Sequence, residues 1–464
     1  RQDAEDDAAP AAQGLRAARG LRVLLPPAES TAVHRRRLLV AGVGGLGCAL
    51  ARPGWTTGQA DGPQVRMAFI DPLTGPAADI GRNSLNSWQF MAGQLQSPGG
   101  ARFRVAGFDN KGSPQESLNV LKVAIDQGFR YILQGNGSGV TAALSEAITR
   151  HNQMRPDRAV LLINYAAMDP ALTAEFCSPW HFRIDADTSM KMRALVGFLA
   201  SQADLDRVYL LNQNYAHGQQ FAAFFKAELA RQAPRVPVVG EELHPPFQLQ
   251  DFAAHVQRIR ASGARAVVTG NWGADLRRLV QALQAQGPAI TILGYYPHLA
   301  GTPKVLAASG DRLPVYAVAT THTNQAGPIA PLAAAFRQRF GEDLVVHASY
   351  DGIRMLDLAV ARAGSAEPAR VAAQLAGMRF EGAAGTVHMR AEDHQLQTSL
   401  RVVRWERVSA QHPISAEETG YTFAPVRTFE ASQLSSPPRC DMRRATLPSA
   451  AGEAAAAGSQ SPVR

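Results

Sequence analysis

The chain has 464 residues, of which 46% are hydrophobic, and it carries a formal net charge of +8. A chain of this length exceeds one ordinary hydrophobic core and is long enough for two lobes. Its basic residues are spread thinly, without a Lys/Arg block interleaved with aromatic residues. This distribution argues against a nucleic-acid-binding protein.

The first 60 residues differ in composition from the rest of the chain. Residues 1–33 are rich in Ala, Asp, Pro and Arg, and we expect them to be disordered. Residues 34–60 combine a basic start, an apolar run and small polar residues before Ala60, which is the pattern of a cleaved signal peptide. The apolar run is shorter than the roughly 20 residues of a membrane helix. We therefore predict export to the periplasm, with lipid attachment at Cys48 as the alternative.

A glycine motif inside this segment, at residues 42–47, formally matches the dinucleotide-binding pattern G-x-G-x-x-G. The glycines of such a site open an amphipathic helix, whereas here Pro53 and Gly54 break the chain. The context argues against a nucleotide site. We predict no cofactor and no metal site.

From residue 65 onward, short β-rich runs alternate with amphipathic stretches. One series opens at Val65–Ile70, and a second series begins at Arg207–Leu211. Alternation of this kind is typical of parallel sheets covered by helices. The sequence thus predicts an α/β fold with two doubly wound parallel-sheet lobes.

The loops that follow the strands are the places to look for a ligand, because open α/β sheets bind ligands beyond the carboxyl ends of their strands. One such loop, residues 135–139, offers backbone N–H groups and a hydroxyl to an anion. In another, Asp275 could meet an ammonium group or could merely cap a helix. The candidate residues from these loops are Asn136, Ser138, Tyr215, His217, Trp272, Asp275 and Tyr296.

Residues from about 64 to 410 resemble the leucine/isoleucine/valine-binding family of type I periplasmic solute receptors. The resemblance is carried by residues 73–81, which include Thr74, and by residues 109–110, 114–117, 135–141, 166–173, 217–218 and 349–351. It implies lobes joined by three crossovers, which we expect near residues 182–184, 319–321 and 385–387. Lobe 1 would then comprise residues 64–183 and 321–385, and lobe 2 residues 184–320 and 386–430. Residues 431–464 would form a mostly disordered tail.

The resemblance also implies roles for single residues in the site. Ser138 stands where a hydroxyl takes the ligand carboxylate, Asp275 where a carboxylate holds the ligand ammonium, and Ala166 where a backbone carbonyl is used. Met168 replaces a key Thr, and an unpaired carboxylate oxygen in a closed cleft would cost about 1–3 kcal/mol. Trp272, Tyr296, Met168 and His217 would suit a flat organic acid.

The function that follows is transport. We expect a monomer that closes its lobes on an amino acid or on a small organic acid, aromatic acids included, and delivers it to an ABC transporter permease in the inner membrane. The alternative is a ligand-sensing receptor or regulator with the same two lobes, which would need a DNA-binding helix-turn-helix or a membrane span.

Two further features have open interpretations. Residues 392–394 (Glu-Asp-His) form the closest approach to a catalytic cluster, and we interpret them as a solvated turn rather than an active site. The sequence accordingly predicts no enzyme. Removal of Cys48 with the signal peptide leaves Cys177 and Cys440, which could form a disulfide or remain two independent thiols.

Overall fold

The computed structural model describes residues 62–95, 100–287 and 290–442. The predicted disordered extension and signal peptide, residues 1–60, lie outside the described residues. In the described parts of the chain, no helix is both long enough and apolar enough to cross a membrane.

Lobe 1 is built on a parallel sheet with the strand order β2-β1-β3-β4-β5 among the described residues. The strands are β1 (Gln64–Asp71), β2 (Arg102–Asp109), β3 (Tyr131–Gln134), β4 (Leu161–Asn164) and β5 (His181–Arg183). Helices α1 (Ala78–Gln94), α2 (Pro114–Asp126) and α3 (Ser138–Met154) connect them. Every residue of β3 and β4 is buried, as expected for strands that are covered by helices on both faces.

Lobe 2 repeats this arrangement. Its sheet, within the described chain, has the order β15-β14-β10-β9-β8-β6-β7. The elements up to the second crossover are α4 (Thr188–Leu199), β6 (Val208–Gln213), α5 (Ala216–Gln232), β7 (Val238–His244), α6 (Ala253–Ala261), β8 (Ala266–Thr269), α7 (Gly273–Ala285), β9 (Thr291–Gly294), α8 (Thr302–Ala307) and β10 (Val315–Ala319). Strands β6 to β10 pair in parallel.

The chain then returns to lobe 1 and comes back to lobe 2 once more. The returning elements are α9 (Ile329–Phe340), α10 (Ala348–Ala363), α11 (Pro368–Leu375) and a small antiparallel sheet of β11 (Arg379–Gly382), β12 (Gly385–Met389) and β13 (Leu396–Gln397). Strands β14 (Leu400–Arg407) and β15 (Tyr421–Phe429) extend the sheet of lobe 2 in antiparallel fashion, and α12 (Ala431–Leu434) follows. The predicted α/β fold with two doubly wound lobes is confirmed.

The third crossover differs from the prediction. Residues 385–387 are not a crossing, because they belong to β12, which pairs with β11 across a tight turn. Val387, Met389 and Leu396 are buried in the core of lobe 1. The chain therefore crosses between Gln397 and Leu400, and lobe 1 extends to residue 397 rather than to residue 385.

The start of the predicted tail is ordered. Helix α12 packs on α4, and Leu434 is fully buried in the core of lobe 2. The guanidinium of Arg193 donates hydrogen bonds to the carbonyl oxygens of Leu434 and Ser435, at 2.8 and 2.5 Å. The prediction of a mostly disordered tail is thus wrong for residues 431–442, and residues 443–464 lie outside the described chain.

Candidate functional site

A cleft that opens to solvent lies between the carboxyl ends of the two sheets. Its walls include eight of the ten ligand residues that we predicted from the sequence: Asn136, Ser138, Ala166, Met168, Tyr215, His217, Trp272 and Tyr296. The sheets place them there because each follows the end of a strand or begins the next helix.

The wall from lobe 1 is organised by a buried carboxylate, that of Asp71 at the end of β1. Its oxygens accept hydrogen bonds from the backbone N–H groups of Gly135 and Asn136, at 3.1 and 3.0 Å, and from the amide of Gln134, at 3.1 Å. The hydroxyl of Tyr165 also donates to it. Burial raises the pKa of Asp71 to about 7 against the lowering effect of these hydrogen bonds. Asp71 therefore holds the loop that carries Ser138 in place.

Ser138 begins helix α3 at the cleft. Gly137, the residue before it, has a φ of 106°, a conformation that glycine adopts without strain. The N–H groups of the first turn of a helix have no partner within the helix, and they favour negative charge. The Ser138 hydroxyl oxygen accepts a hydrogen bond from the N–H of Asp169, at 3.3 Å, and its own hydrogen can be donated elsewhere. This part of the cleft suits a carboxylate.

Ala166 and Met168 lie on the loop after β4. The Asn164 side chain shapes this loop, because its oxygen accepts hydrogen bonds from the N–H groups of Ala166 and Ala167. The Met168 side chain is buried among residues of lobe 2, with its sulfur 4.0 Å from the hydroxyl of Tyr296. Met168 thus forms a contact between the lobes, a role that a polar Thr would not fill as well.

The wall from lobe 2 is aromatic. Tyr215 and Trp272 precede helices α5 and α7, and the indole N–H of Trp272 donates to the Tyr215 hydroxyl at 2.9 Å. The hydroxyl of Tyr296 lies 3.3 Å from Nε2 of His217. Burial, with a smaller contribution from Lys191, lowers the pKa of His217 to about 4, so this imidazole is neutral at physiological pH. These rings, which are tilted relative to one another, form an aromatic and mostly uncharged surface.

Two of the predicted ligand residues lie elsewhere. Asp275 is fully buried inside lobe 2, where its Oδ2 accepts hydrogen bonds from the Gln213 amide and the N–H of Phe247, both at 2.7 Å. Thr74 donates from its hydroxyl to Asp109 at 2.5 Å and joins the loop after β1 to the end of β2. Asp275 therefore stabilises its own lobe, because its position in the first turn of α7 directs it to the loop after β7 rather than to the cleft.

The sequence interpretation missed the charged residues of the cleft. Lys191 of α4 pairs with Asp185 at 2.7 Å, and the side chains are 8% and 15% exposed. Asp351 of α10 also lines the cleft, and burial raises its pKa to about 7. Further lining residues that were not among the ten candidates are Tyr165, Tyr295, His298 and His347. A lone Lys between two methionines, at the start of an apolar helix, was a signal that could have identified Lys191.

Residues 391–393 form a turn in which Glu392 is exposed, but the prediction of a solvated turn is wrong for the two residues that follow Glu392. Asp393 and His394 are 3% and 6% exposed. The His394 ring stacks on Phe182 with centroids 3.9 Å apart, and its backbone oxygen accepts a hydrogen bond from the N–H of Arg183. Asp393 pairs with Arg390. The cluster therefore packs against the first crossover, a structural role that its polar sequence did not indicate.

Two lobes that enclose a small-molecule cleft at the carboxyl ends of their sheets define a solute-binding protein. Residues 64–411 match the family model described as periplasmic binding protein, and the chain belongs to this family. The resemblance to the leucine/isoleucine/valine-binding proteins is confirmed.

Known proteins similar to this chain come from several bacteria. The Leu/Ile/Val-binding protein homolog 4 of Brucella abortus is 26% identical over 424 residues, which cover 86% of this chain and 97% of the relative. The closed conformation of a leucine-, isoleucine-, valine-, threonine- and alanine-binding protein from Brucella ovis superposes with a TM-score of 0.72 at 23% identity, over 82% of this chain and 98% of that one. A solute-binding protein of an ABC transporter from Rhodopseudomonas palustris, in complex with 3,4-dihydroxybenzoic acid, gives 0.67 at 19% identity, over 79% and 98% of the two chains.

Proposed function

We propose that this protein is the extracytoplasmic solute-binding component of an ABC importer. It closes its lobes on a small carboxylate, either an amino acid or an aromatic organic acid, and delivers it to a permease in the inner membrane. It acts by binding and release, as a monomer. Membership in the periplasmic binding protein family and the signal-peptide pattern of residues 34–60 support this assignment.

One observation carries the proposal. Within a single cleft, the N-terminus of α3 with the Ser138 hydroxyl shares the lining with an aromatic wall from the other lobe. A carboxylate would bind at the helix terminus, and the body of the ligand would pack against Trp272 and Tyr296. Because the two walls belong to different lobes, a bound ligand favours the closed arrangement.

The proposal is tested with a carboxylate and amino acid library in a thermal-shift assay of the mature protein. A ligand at 100 times its dissociation constant stabilises the folded state by about 2.7 kcal/mol, which is readily detected as a rise in the unfolding midpoint. Binding should also reduce the radius of gyration measured by small-angle X-ray scattering. Lack of stabilisation across the whole library would contradict the proposal.

Placement of the ligand is tested by substitution of Trp272. The variant Trp272→Ala should weaken binding, because an aromatic contact contributes about 0.5–1.5 kcal/mol beyond its buried area. The matched control is Trp180→Ala, which removes an indole from lobe 1 that is absent from the cleft lining. Equal loss of affinity in both variants would argue against a ligand at the aromatic wall.

A further inference from the structure

We propose that the ligand is an organic carboxylate without an ammonium group, and that Lys191 is the residue that selects for it. This inference rests on the proposed function and narrows its ligand class. The carboxylate would engage both the N-terminus of α3 and the Lys191 ammonium, whereas a zwitterionic amino acid would bring a second ammonium group into the same cleft.

The position of Lys191 is set by its surroundings. Helix α4 begins directly after the first crossover, and the Asp187 side chain caps it by accepting a hydrogen bond from the N–H of Met190. The Lys191 side chain is 8% exposed, with Nζ 2.7 Å from the Asp185 carboxylate and 5.7 Å from the centroid of the Tyr295 ring. The hydroxyl of Thr320 lies 3.5 Å from the same carboxylate. These contacts hold the Lys191 side chain in a defined position in the cleft, close to the first and second crossovers.

The charges of the cleft favour an added anion as long as Asp351 is protonated. Asp185 and Lys191 neutralise one another, and the amides at the start of α3 contribute a partial positive charge. An ammonium has three donors, so Lys191 can bind a ligand carboxylate while it keeps Asp185. A ligand ammonium would instead meet a carboxylate that is already paired, beside the like charge of Lys191. An amino acid is thus disfavoured at this end.

The residue that would receive an ammonium in amino-acid-binding relatives is not available here. Asp275 is buried inside lobe 2 and its Oδ2 is bonded to Gln213 and Phe247. Besides Asp185, which is paired with Lys191, the cleft lining includes the carboxyl group of Asp351, which accepts a hydrogen bond from the N–H of Ala383 at 2.7 Å and is 3% exposed. Neither Asp275 nor Asp351 therefore offers an accessible anionic partner to a ligand ammonium, whereas Lys191 offers a cationic partner to a ligand carboxylate.

The neutral part of the lining indicates what the rest of the ligand carries. Burial, with Lys191 as the next cause, lowers the pKa of His217 to about 4 and that of His298 to about 3. Neutral imidazoles and tyrosine hydroxyls bind uncharged hydroxyl groups without a charge penalty. Together with Trp272 and Tyr296, they fit a hydroxylated aromatic ring. The ligand class is therefore an aromatic carboxylate with hydroxyl substituents.

The experiment compares two pairs of ligands that differ in the ammonium group and one pair that differs in the carboxylate. Isothermal titration calorimetry of the mature wild-type protein uses phenylalanine against phenylpropanoate, tyrosine against its deaminated analogue, and hydroxybenzoate against the neutral phenol. We expect each acid without an ammonium to bind at least tenfold more tightly than its amino acid or phenol counterpart. Lys191→Met, which keeps an unbranched side chain one atom shorter and removes the ammonium, should weaken acid binding about 10- to 100-fold, as expected for the loss of a hydrogen bond to a charged group.

Two further variants separate selection from folding. Lys191→Met leaves Asp185 unpaired, so the double variant Lys191→Met/Asp185→Asn removes both charges and should lose the acids to the same extent while its unfolding midpoint stays near that of the wild type. Lys226→Met, which breaks the surface pair with Glu241 at 2.7 Å, is the matched control and should bind like the wild type.

The outcomes distinguish this inference from the proposed function. Tighter binding of phenylalanine or tyrosine than of their deaminated analogues would overturn the inference while the function as a solute-binding protein stands. Full retention of acid affinity in the folded double variant would also overturn it. Binding of no carboxylate at all by the wild type would overturn both.

Discussion

Cys440 forms a disulfide with Cys177, and this bond attaches the chain that has just left lobe 2 to the loop before β5 of lobe 1. Beside it, Arg439 pairs with Glu175 at 3.4 Å, and Arg390 donates a hydrogen bond to the carbonyl oxygen of Ser436 at 2.6 Å. Residues 435–440, which we call the strap, thus connect the lobes in addition to the crossovers. The sequence left open whether these cysteines are bridged.

The strap should limit how far the lobes separate. Residues 435–440 span at most about 20 Å when fully extended, and the disulfide anchors their far end. Cys440→Ser should therefore increase the radius of gyration of the ligand-free protein and leave the ligand-bound value unchanged, as measured by small-angle X-ray scattering. Loss of the bridge should also lower the free energy of unfolding by about 2–4 kcal/mol.

The control for the strap is Cys177→Ser, which breaks the same bond from the other side and should give the same result. Thiol titration of the mature protein under denaturing conditions should detect no reactive thiol before reduction and two afterwards. Two reactive thiols without reductant, or an unchanged radius of gyration in both variants, would argue against a restraining strap.

Asp275 and Ser138 should respond to substitution in opposite ways. Asp275→Asn places an amide where the Gln213 amide and the N–H of Phe247 now donate, and it should lower the free energy of unfolding by about 1–3 kcal/mol with little effect on ligand preference. Ser138→Ala should weaken carboxylate binding about tenfold with little effect on unfolding. Chemical denaturation and calorimetry of both variants check the pair. Selective loss of ligand binding in Asp275→Asn would restore the role that the sequence suggested.

The sequence predicted the fold and most of the cleft, because both depend on local patterns. Strands β1 and β6 show buried runs, and Ser138 and Trp272 follow strands at the expected edge. The sequence could not predict in which direction the Asp275 side chain points from the first turn of α7. In the structure it points into lobe 2 rather than into the cleft. The sequence also could not place Lys191 in the cleft. Its side chain is positioned by the ion pair with Asp185, which lies just after the first crossover. The third crossover was missed because the β11–β12 hairpin has the same local pattern as a connection between lobes.

Asp351 should make ligand binding depend on pH. Burial raises its pKa to about 7, with the hydrogen bond from Ala383 opposing and the charge of Asp185 adding to the shift. Below pH 7 the group is neutral, and above it a bound carboxylate meets another anion. The affinity for a carboxylate should therefore fall several-fold between pH 6 and pH 8, at an effective dielectric constant of about 20.

The test of the Asp351 prediction is calorimetry of wild type and Asp351→Asn across this range. The neutral histidines of the cleft do not titrate there, since the pKa values of His217 and His347 are about 4. Asp351→Asn should show a smaller fall in affinity than the wild type, and the remaining fall is expected from Asp71, whose pKa is also about 7 and which holds the loop before Ser138. An equal slope in the variant would assign the pH dependence to another group.

Buried histidines should make the fold sensitive to acid. Burial lowers the pKa of each of the following groups from 6.5 to between about 3 and about 4: His181, His217, His298, His347 and His394. Between these values and 6.5 the unfolded chain binds protons that the folded chain does not. The stability contributed by the neutral histidines is therefore complete above pH 6.5 and is lost as the pH falls toward 4.

Two of the buried carboxyls, those of Asp71 and Asp351, act in the opposite direction. The pKa values of Asp71 and Asp351 are raised to about 7, so in the folded state these groups keep protons that the unfolded chain releases above pH 4. Their stabilising contribution falls as the pH rises through 7, and it offsets only part of the histidine effect because the histidines outnumber them in this comparison. We expect the urea midpoint to fall between pH 6.5 and pH 4, with each histidine contributing on the order of 1 kcal/mol by pH 5. His181→Gln should reduce the fall of the urea midpoint between pH 6.5 and pH 4. The control is His151→Gln, on the partly exposed face of α3, which should leave this fall unchanged. An unchanged fall in His181→Gln would show that His181 does not contribute to the acid sensitivity.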